Sequence, residues 1–294
     1  MEAFETYRSL LFSIAYRMLG SASDAEDMVQ ETYLRYRTAQ EVEIRSLKSF
    51  LMTVITRLCL DELKSARVQR EQYLGPWLPE PVLTGGAETL VEQRESLSLA
   101  FLKLLEELTP AERAVFVLHE AFDYPYDEIG NILDKNAAAC RQLFHRAEER
   151  LAAHQRRFEP SLDAQRELVG RFLLASQSGN VQALTELLAR DVVVWSDGGG
   201  KVSAATRPVY GQERVIRFLQ GLLWKSLADL AVSVETINDS PALLFWTGET
   251  LFMASSFRIA DGQIQEAYGI LNPDKLAYLQ RQLRERESAS SVTS

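Results

Sequence analysis

Sulfur and imidazole are scarce in this chain. Its 294 residues include two cysteines and three histidines. Cys59 and Cys140 form no C-x-x-C pair, and each falls on an apolar helical stripe, where a thiol acts as a small buried hydrophobe. His119, His145 and His154 show no ligand spacing, so no metal site is expected. Long apolar runs are missing too. The longest, such as PALLFW, fall far short of the roughly 20 residues of a bilayer crossing. The opening MEAFETYRSL has acids where a signal peptide carries lysines, so a cytoplasmic protein without a membrane partner is expected. Positive charge is also in deficit. The net charge is −9, and residues 1–160 carry 19 basic against 26 acidic side chains. That excludes simple non-specific DNA binding; any DNA contact must be local, or helped by a partner that supplies positive surface. The 46% hydrophobic and 25% charged content is that of a soluble globular chain, long enough for two or three domains.

The stretch 124–151, YPYDEIGNILDKNAAACRQLFHRAEERL, is the most informative. Apolar residues recur at Ile129, Ile132 and Leu133, then at Cys140, Leu143, Phe144, Ala147 and Leu151. The second set has the i, i+3, i+4 spacing of a helix buried on one side. Arg141, Gln142, His145 and Arg146 must then point outward. This is the layout of a helix-turn-helix whose second helix enters the major groove, with side chains suited to phosphates and base edges. An ordinary αα-hairpin with a solvated face fits the same pattern.

Residues 1–70 are helical in pattern. In SDAEDMVQETYLRYR, Ala25, Met28, Val29, Thr32, Tyr33 and Tyr36 recur at helical spacing and leave Asp24, Glu26, Asp27, Gln30 and Glu31 for other faces. Ser23 with Glu26 fits a capping box. LKSFLMTVITRLCLDELKSARVQR predicts a second amphipathic helix, apolar at Phe50, Leu51, Val54, Leu58 and Leu63 and basic at Arg57, Lys64, Arg67 and Arg70. Residues 71–95 contain three prolines and three glycines, which excludes a long helix. Yet Tyr73, Leu74, Trp77, Leu78, Val82 and Leu83 make this linker too apolar to be freely solvated. It reads as a loop pinned to a domain surface, or as a docking segment for another part of the chain. Residues 96–156 are helical again, with Thr109 as an N-cap and Pro110 at the first helical position.

From residue 161 the pattern changes. Two helices precede the strand DVVVWSD and the turn-rich DGGGK; another helix and four extended runs follow. Asp261-Gly262 signals a hairpin. Helices followed by a strand meander imply an α+β domain with a curved sheet. The terminal ESASSVTS, residues 287–294, has no core-forming pattern and is expected to be disordered.

With these residues in view, the chain resembles an RNA polymerase sigma factor of the extracytoplasmic-function type, in the subgroup with a C-terminal SnoaL-like domain. DAEDMVQETYLRY resembles the sigma region 2 helix that grips the polymerase β′ clamp, and SLKSFLMTVITRLCLDELKSARVQRE the segment that melts and reads the −10 element. Tyr126–Leu151 resembles the −35-reading helix-turn-helix of region 4. GPWLPEPV, DGGGK and NPDKL together match that one subgroup. The resemblance implies a multidomain fold: two all-α modules (1–70 and 96–156) joined by the 71–95 linker, then an α+β cone-shaped regulatory domain over 161–286. It implies core RNA polymerase (β′ clamp and β flap) and promoter DNA as partners, and no cofactor. By it, Asp24, Asp27, Gln30 and Glu31 face polymerase. Arg45 and Lys48 of the capture loop EVEIRSLK, with Arg57, Lys64 and Arg67, face DNA near −10. Arg141, Gln142, His145 and Arg146 face −35 DNA. Many relatives carry Trp where this chain has Phe50, so the ring is kept and the indole donor lost.

DGGGK lacks the spacing of a phosphate-binding loop. A hairpin turn accounts for Gly198 and Gly199 but not for three glycines running into Lys201. The resemblance supplies a reason: contact between Asp197, Gly198, Gly199, Gly200 and Lys201 and the linker residues Trp77, Leu78, Pro79, Glu80 and Pro81, with Asn272, Pro273, Asp274, Lys275 and Leu276 taking part. The other reading is an enzyme in the cone, since such folds support isomerases and hydrolases. Asp197 and Asp239 sit at turns, and Tyr210 and Tyr268 are candidates to line the cone, but no acid–base pair can be assembled. Trp195, Trp224, Phe245, Trp246 and Phe252 are expected to form core or a pocket for an unidentified apolar ligand.

Overall fold

A computed structural model describes residues 2–39, 44, 46–84, 97–152, 160–222 and 230–292. The chain divides into two compact units. One comprises residues 1–72, 86–97 and 101–155; the other comprises 73–85, 98–100 and 156–294.

In the first unit, α1 (Glu2–Leu19), α2 (Ala22–Thr38) and α3 (Leu47–Glu71) pack together. Their shared core includes Phe4, Leu11, Ile14 and Met18 of α1, Ala25 and Val29 of α2, and Leu51, Met52, Ile55 and Cys59 of α3. Gly20, at φ +68°, ends α1 in the left-handed conformation that glycine adopts without steric cost. The cap of α2 is Ser21, not Ser23: its side chain accepts the Asp24 amide at 3.1 Å, because the helix begins two residues earlier than the sequence signal implies. Burial pushes the Cys59 thiol well above its usual range, so it is an inert core group.

The same unit contains α4 (Leu99–Leu105) from Phe101 onward, α5 (Pro110–Phe116), a π-helical turn at Val117–Ala121, α6 (Tyr126–Leu133) and α7 (Ala137–Ala152). Thr109 caps α5 with Pro110 at its first turn, as expected, and Glu112 closes a reciprocal capping box with it. Buried Arg113 donates to the Met18 carbonyl (2.7 Å), the Leu105 carbonyl (2.5 Å) and Glu106 (2.7 Å). Arg70 donates to the Leu19 carbonyl at 2.7 Å and also pairs with Glu106. Arg70, one of the basic residues read on the α3 face, joins Arg113 in satisfying the unpaired carbonyls at the C-terminus of α1, where cations are favoured.

The second unit is the α+β domain plus the docked linker. Its elements are α8 (Leu162–Gln177), α9 (Val181–Leu187), β1 (Leu188–Asp197), β2 (Val209–Tyr210), α10 (Gln212–Leu222), β3 (Ala231–Ile237), β4 (Ser240–Thr247), β5 (Thr250–Ala260), β6 (Gln263–Ile270) and α11 (Pro273–Val292). The sheet order is β2-β1-β6-β5-β4-β3, with β1 and β6 parallel and the other neighbours antiparallel. Asp261 and Gly262 both have positive φ, so the expected hairpin has the primed turn that matches strand twist. Asn238 and Asp239 turn β3 into β4 the same way.

One face of the sheet packs α8–α10 through Val169, Phe172, Leu184, Val215, Phe245, Met253 and Phe257. The opposite face packs the linker and α11 through Leu78, Ile237, Leu244, Tyr268, Ile270, Leu276 and Leu279. This corrects the placement of the two tyrosines. Tyr210 is 56% exposed, and Tyr268 lies on the α11 side, bonded to Glu266 at 2.8 Å. Phe245 and Phe252 belong to the helix-covered face and Trp195 and Trp246 to the other; Trp224 lies outside the described residues. The expected disordered tail is also revised, because α11 continues through Glu287 to Val292. No glycine or proline interrupts 274–292, and Arg286 forms a two-pronged pair with Glu235 at 2.8 Å that holds the helix to β3.

Candidate functional site

The densest polar junction of the second unit is built on Asp197, the last residue of β1. Its carboxylate is fully buried. One oxygen accepts the Leu78 amide at 2.8 Å and the Lys275 ammonium at 2.7 Å. The other accepts the Tyr73 hydroxyl at 2.5 Å and the Gly199 amide at 3.1 Å. Its backbone carbonyl accepts the amides of Leu271 and Asn272 at 2.8 and 2.9 Å. Lys275 is enclosed as well. Its ammonium donates to the Leu78 carbonyl at 2.5 Å and lies 4.0 Å from the ring centroid of Trp77 and 4.9 Å from that of Tyr73. A desolvated cation needs such partners: a carboxylate, a carbonyl and two aromatic faces. Asn272 caps α11 by accepting the Asp274 amide at 3.1 Å, and its side-chain amide donates to the Tyr73 hydroxyl at 2.9 Å. Pro273 fits the first turn that follows. Burial, then the bond to Asp197, pushes the Tyr73 hydroxyl well above its ordinary value, so it stays a neutral donor.

Each glycine of DGGGK has its own reason. A Cβ at Gly198 would meet the Val202 carbonyl at 2.5 Å; one at Gly199 would meet the Asn272 amide nitrogen at 2.3 Å and the Tyr73 hydroxyl at 2.9 Å. Gly200 has φ +72° and is covered by the side chain of Leu74. Lys201 pairs with Asp274 at the surface. Beyond Leu78, Pro79, Glu80 and Pro81 are buried. The linker then lies along the end of β3. The Val82 amide donates to the Asn238 side chain (3.1 Å), the Leu83 amide to Gln282 (2.8 Å) and the Thr84 amide to the Thr236 carbonyl (3.0 Å), with a β-bridge between Leu83 and Ile237. Residues 85–95 of the linker lie outside the described residues. Tyr73, which the sequence marks only as one of the linker's apolar residues, completes this site with Asn238 and Gln282, which the sequence does not mark. The one signal was an aromatic residue just before Leu-Gly-Pro-Trp.

In the first unit, α6 ends at Asp134 in the left-handed conformation, and Asn136 accepts the Ala139 amide at 2.8 Å to start α7. Cys140, Phe144 and Ala147 are buried, and Arg141, Gln142, His145 and Arg146 are all exposed on the opposite face. His145 lies 3.2 Å from Glu148. Arg57 is engaged with this turn: its Nε donates to the Ile132 carbonyl at 3.0 Å and its Nη2 lies 2.9 Å from both oxygens of Asp134. Lys64 pairs with Asp61 at 2.8 Å, and the Lys48 ammonium lies over the Tyr124 ring. Arg67 lies on α3, its side chain outside the description, and Arg45 lies outside the described residues. On α2, Asp27 and Gln30 are exposed, Asp24 is half-buried in the first turn, and Glu31 pairs with Arg35 at 2.9 Å. Among the described residues, no group of three or more His, Cys, Asp or Glu could hold a metal ion, and no helix is long and apolar enough to cross a membrane.

Two family models match the chain: sigma-70 region 2 over residues 3–68 and sigma-70 region 4 over residues 98–151. The ECF RNA polymerase sigma factor SigJ of Mycobacterium tuberculosis is 37% identical over 286 residues, covering 92% of this chain and 91% of the relative. The probable ECF sigma factor SigI of the same organism is 32% identical, with 96% of each chain covered. The crystal structure of the Mycobacterium tuberculosis extracytoplasmic function sigma factor SigJ superposes with a TM-score of 0.78 at 33% identity, covering 94% of this chain and 98% of that one. With helices of the two sigma modules, an appended α+β domain and full-length similarity all in agreement, the chain belongs to the extracytoplasmic-function RNA polymerase sigma factors.

Proposed function

We propose that this sigma factor directs core RNA polymerase to promoters and is regulated in cis by its α+β domain. The observation that carries the regulatory reading is the Asp197 junction, where the linker, DGGGK and NPDKL meet on one buried carboxylate. A free linker of 25 residues would wander over roughly 25–30 Å. With residues 73–84 held on the sheet, a chain of the remaining 13 linker residues would range over only roughly 18–22 Å. The junction therefore biases the equilibrium between a closed and a polymerase-ready arrangement of the sigma modules.

In this reading Asp24, Asp27, Gln30 and Glu31 of α2 meet the β′ clamp, and the α4–α7 module meets the β flap. Lys48, Arg57, Lys64 and Arg67, with Arg45, engage DNA near −10, and Arg141, Gln142, His145 and Arg146 engage the −35 element. The exposed positive face of α7 supports the last assignment; Glu148 and Glu149 one turn later confine DNA to its N-terminal half. The apolar filling between the sheet and α8–α10 supports a structural rather than a catalytic role for that face.

In vitro transcription with purified core enzyme tests the reading across four proteins: the full chain, a chain ending before Ser161, one ending at Leu271, and a Gly199→Val variant. Complete removal and Gly199→Val should lower activity through loss of the organising contact. Ending at Leu271 should lower it as well, because it removes Lys275 and Asn272 from the same junction and α11 from the sheet. Equal transcription from all four would discard regulation in cis.

A further inference from the structure

An aromatic column in the first unit leads from the core of the α4–α7 module to the DNA-facing side of α7. Phe116 stacks on Phe144 at 5.7 Å between centroids, and Phe144 meets His119 edge-on at 4.8 Å. His119 stacks on Tyr126 at 4.2 Å. The Arg141 guanidinium carbon lies 5.8 Å from the centroid of the Tyr126 ring. The column therefore ends on a cation that faces solvent.

His119 is the member whose position is set by unusual backbone. It sits within the π-helical turn Val117–Ala121, whose wider winding is rare and often found where a function needs a side chain displaced. Its carbonyl accepts the Asp123 amide at 3.1 Å, and its Nδ1 lies 2.9 Å from the Tyr124 carbonyl. A carbonyl can only accept, so Nδ1 carries the proton, and the ring is tied to the residues that lead into α6.

We propose that Tyr126, braced by His119, is a positioning residue that holds the Arg141 guanidinium in its base-reading orientation. An exposed arginine samples many rotamers, and that freedom is lost on binding a base edge. An aromatic face under the guanidinium selects a subset of those rotamers before DNA arrives. Tyr126 itself needs no DNA contact. The proposal rests on the reading of Arg141 as a base contact.

The test uses the full chain assembled with core polymerase and a promoter library randomised across the −35 element. Base preferences are read for wild type, Arg141→Ala, Tyr126→Leu, Tyr126→Phe and Tyr126→Leu combined with Arg141→Ala. Arg141→Ala should relax one or two base positions. Tyr126→Leu should relax the same positions by about two- to fivefold, the scale of an exposed cation–π contact. Tyr126→Phe should retain the preference, and Tyr126→Leu should add nothing in the Arg141→Ala background. Unchanged preferences in Tyr126→Leu would overturn the proposal, as would relaxation spread over all positions or persisting without Arg141. If Arg141→Ala itself alters no position, the reading of Arg141 falls and the proposal with it.

Discussion

Arg57 and Asp134, 77 residues apart in the chain, form a forked contact in which one guanidinium nitrogen lies 2.9 Å from both carboxylate oxygens. The cation proposed to engage DNA near −10 is thus held by the turn of the proposed −35-reading motif. A carboxylate there occupies the guanidinium as a DNA phosphate would. Asp134 is in the left-handed conformation, which Asn also tolerates, so Asp134→Asn keeps the backbone. Both side chains are largely exposed, so folding stability should change by less than about 1 kcal/mol. Promoter occupancy by the holoenzyme should nevertheless rise, because Arg57 no longer has to be released. Gel-shift titrations that give the same occupancy for both proteins would remove Asp134 as a competitor.

The Lys275–Asp197 pair is buried on both sides. Lys275→Met strands the carboxylate without its cation and should cost about 3–5 kcal/mol. Adding Asp197→Asn should recover part of that loss, since the stranded carboxylate is then gone. Thermal unfolding of the full chain gives both values, and strict additivity would show that the two groups are not coupled.

Gly199→Ala combines a left-handed φ with a Cβ placed against Asn272 and should destabilise by at least about 1–2 kcal/mol. Gly170→Ala is the matched control. Gly170 lies inside α8 with nothing within 4 Å of its added Cβ, so alanine should stabilise by up to about 1 kcal/mol. Equal melting shifts for the two variants would contradict the close approach of the linker.

Tyr73 gives the second unit a signature at alkaline pH. Its folded-state value is raised, first by burial and then by Asp197. Its stabilising contribution is therefore complete below the unfolded tyrosine value of about 10 and declines as pH rises above it. Each proton lost only on unfolding steepens that decline by about 1.4 kcal/mol per pH unit. Tyr73→Phe should make the alkaline loss of stability shallower by one such proton, leaving the contributions of Tyr124, Tyr126 and Tyr268, which are also raised. Denaturant melts across alkaline pH with identical slopes for both proteins would exclude Tyr73 as a buried donor.

Charge reversal on α2 should weaken binding to core polymerase, and the two acids are not equivalent. Asp27 is exposed and its reversal should leave the fold unchanged. Asp24 lies in the first turn of the helix, where a positive replacement also opposes the helix dipole by about 0.3–1 kcal/mol. Asp27→Lys is therefore the cleaner probe. Pull-down with core enzyme, alongside circular dichroism, measures the effect; undiminished capture of Asp27→Lys would remove this face from the polymerase contact.

The helix-turn-helix was legible because its evidence is local. The spacing of Cys140, Phe144 and Ala147 fixes which face of α7 is buried, and Arg141 and Gln142 follow by exclusion. The Asp261-Gly262 hairpin and the Thr109 cap are local in the same sense. The Asp197 junction was not legible from pattern alone. Tyr73 meets Asp197 across 124 residues and Asn272 across 199, and no periodicity records such pairings. Arg57 and Arg70 show the other limit. A basic residue on a helix face reads as solvent-facing until the neighbouring carbonyls of Ile132 or Leu19 are placed beside it.

The bridge between Leu83 and Ile237 has a bearing on self-association. β3 is the outer strand of the sheet, and bare strand edges recruit other chains. Linker residues 82–84 satisfy amides and carbonyls at the far end of that edge, so the segment proposed to carry regulatory contacts also acts as a guard strand. The α+β domain excised at Ser161 would lose that guard together with its cover over Leu244 and Ile270. It should be markedly less soluble than the intact chain, and a synthetic peptide spanning residues 73–84 should restore it to monodispersity.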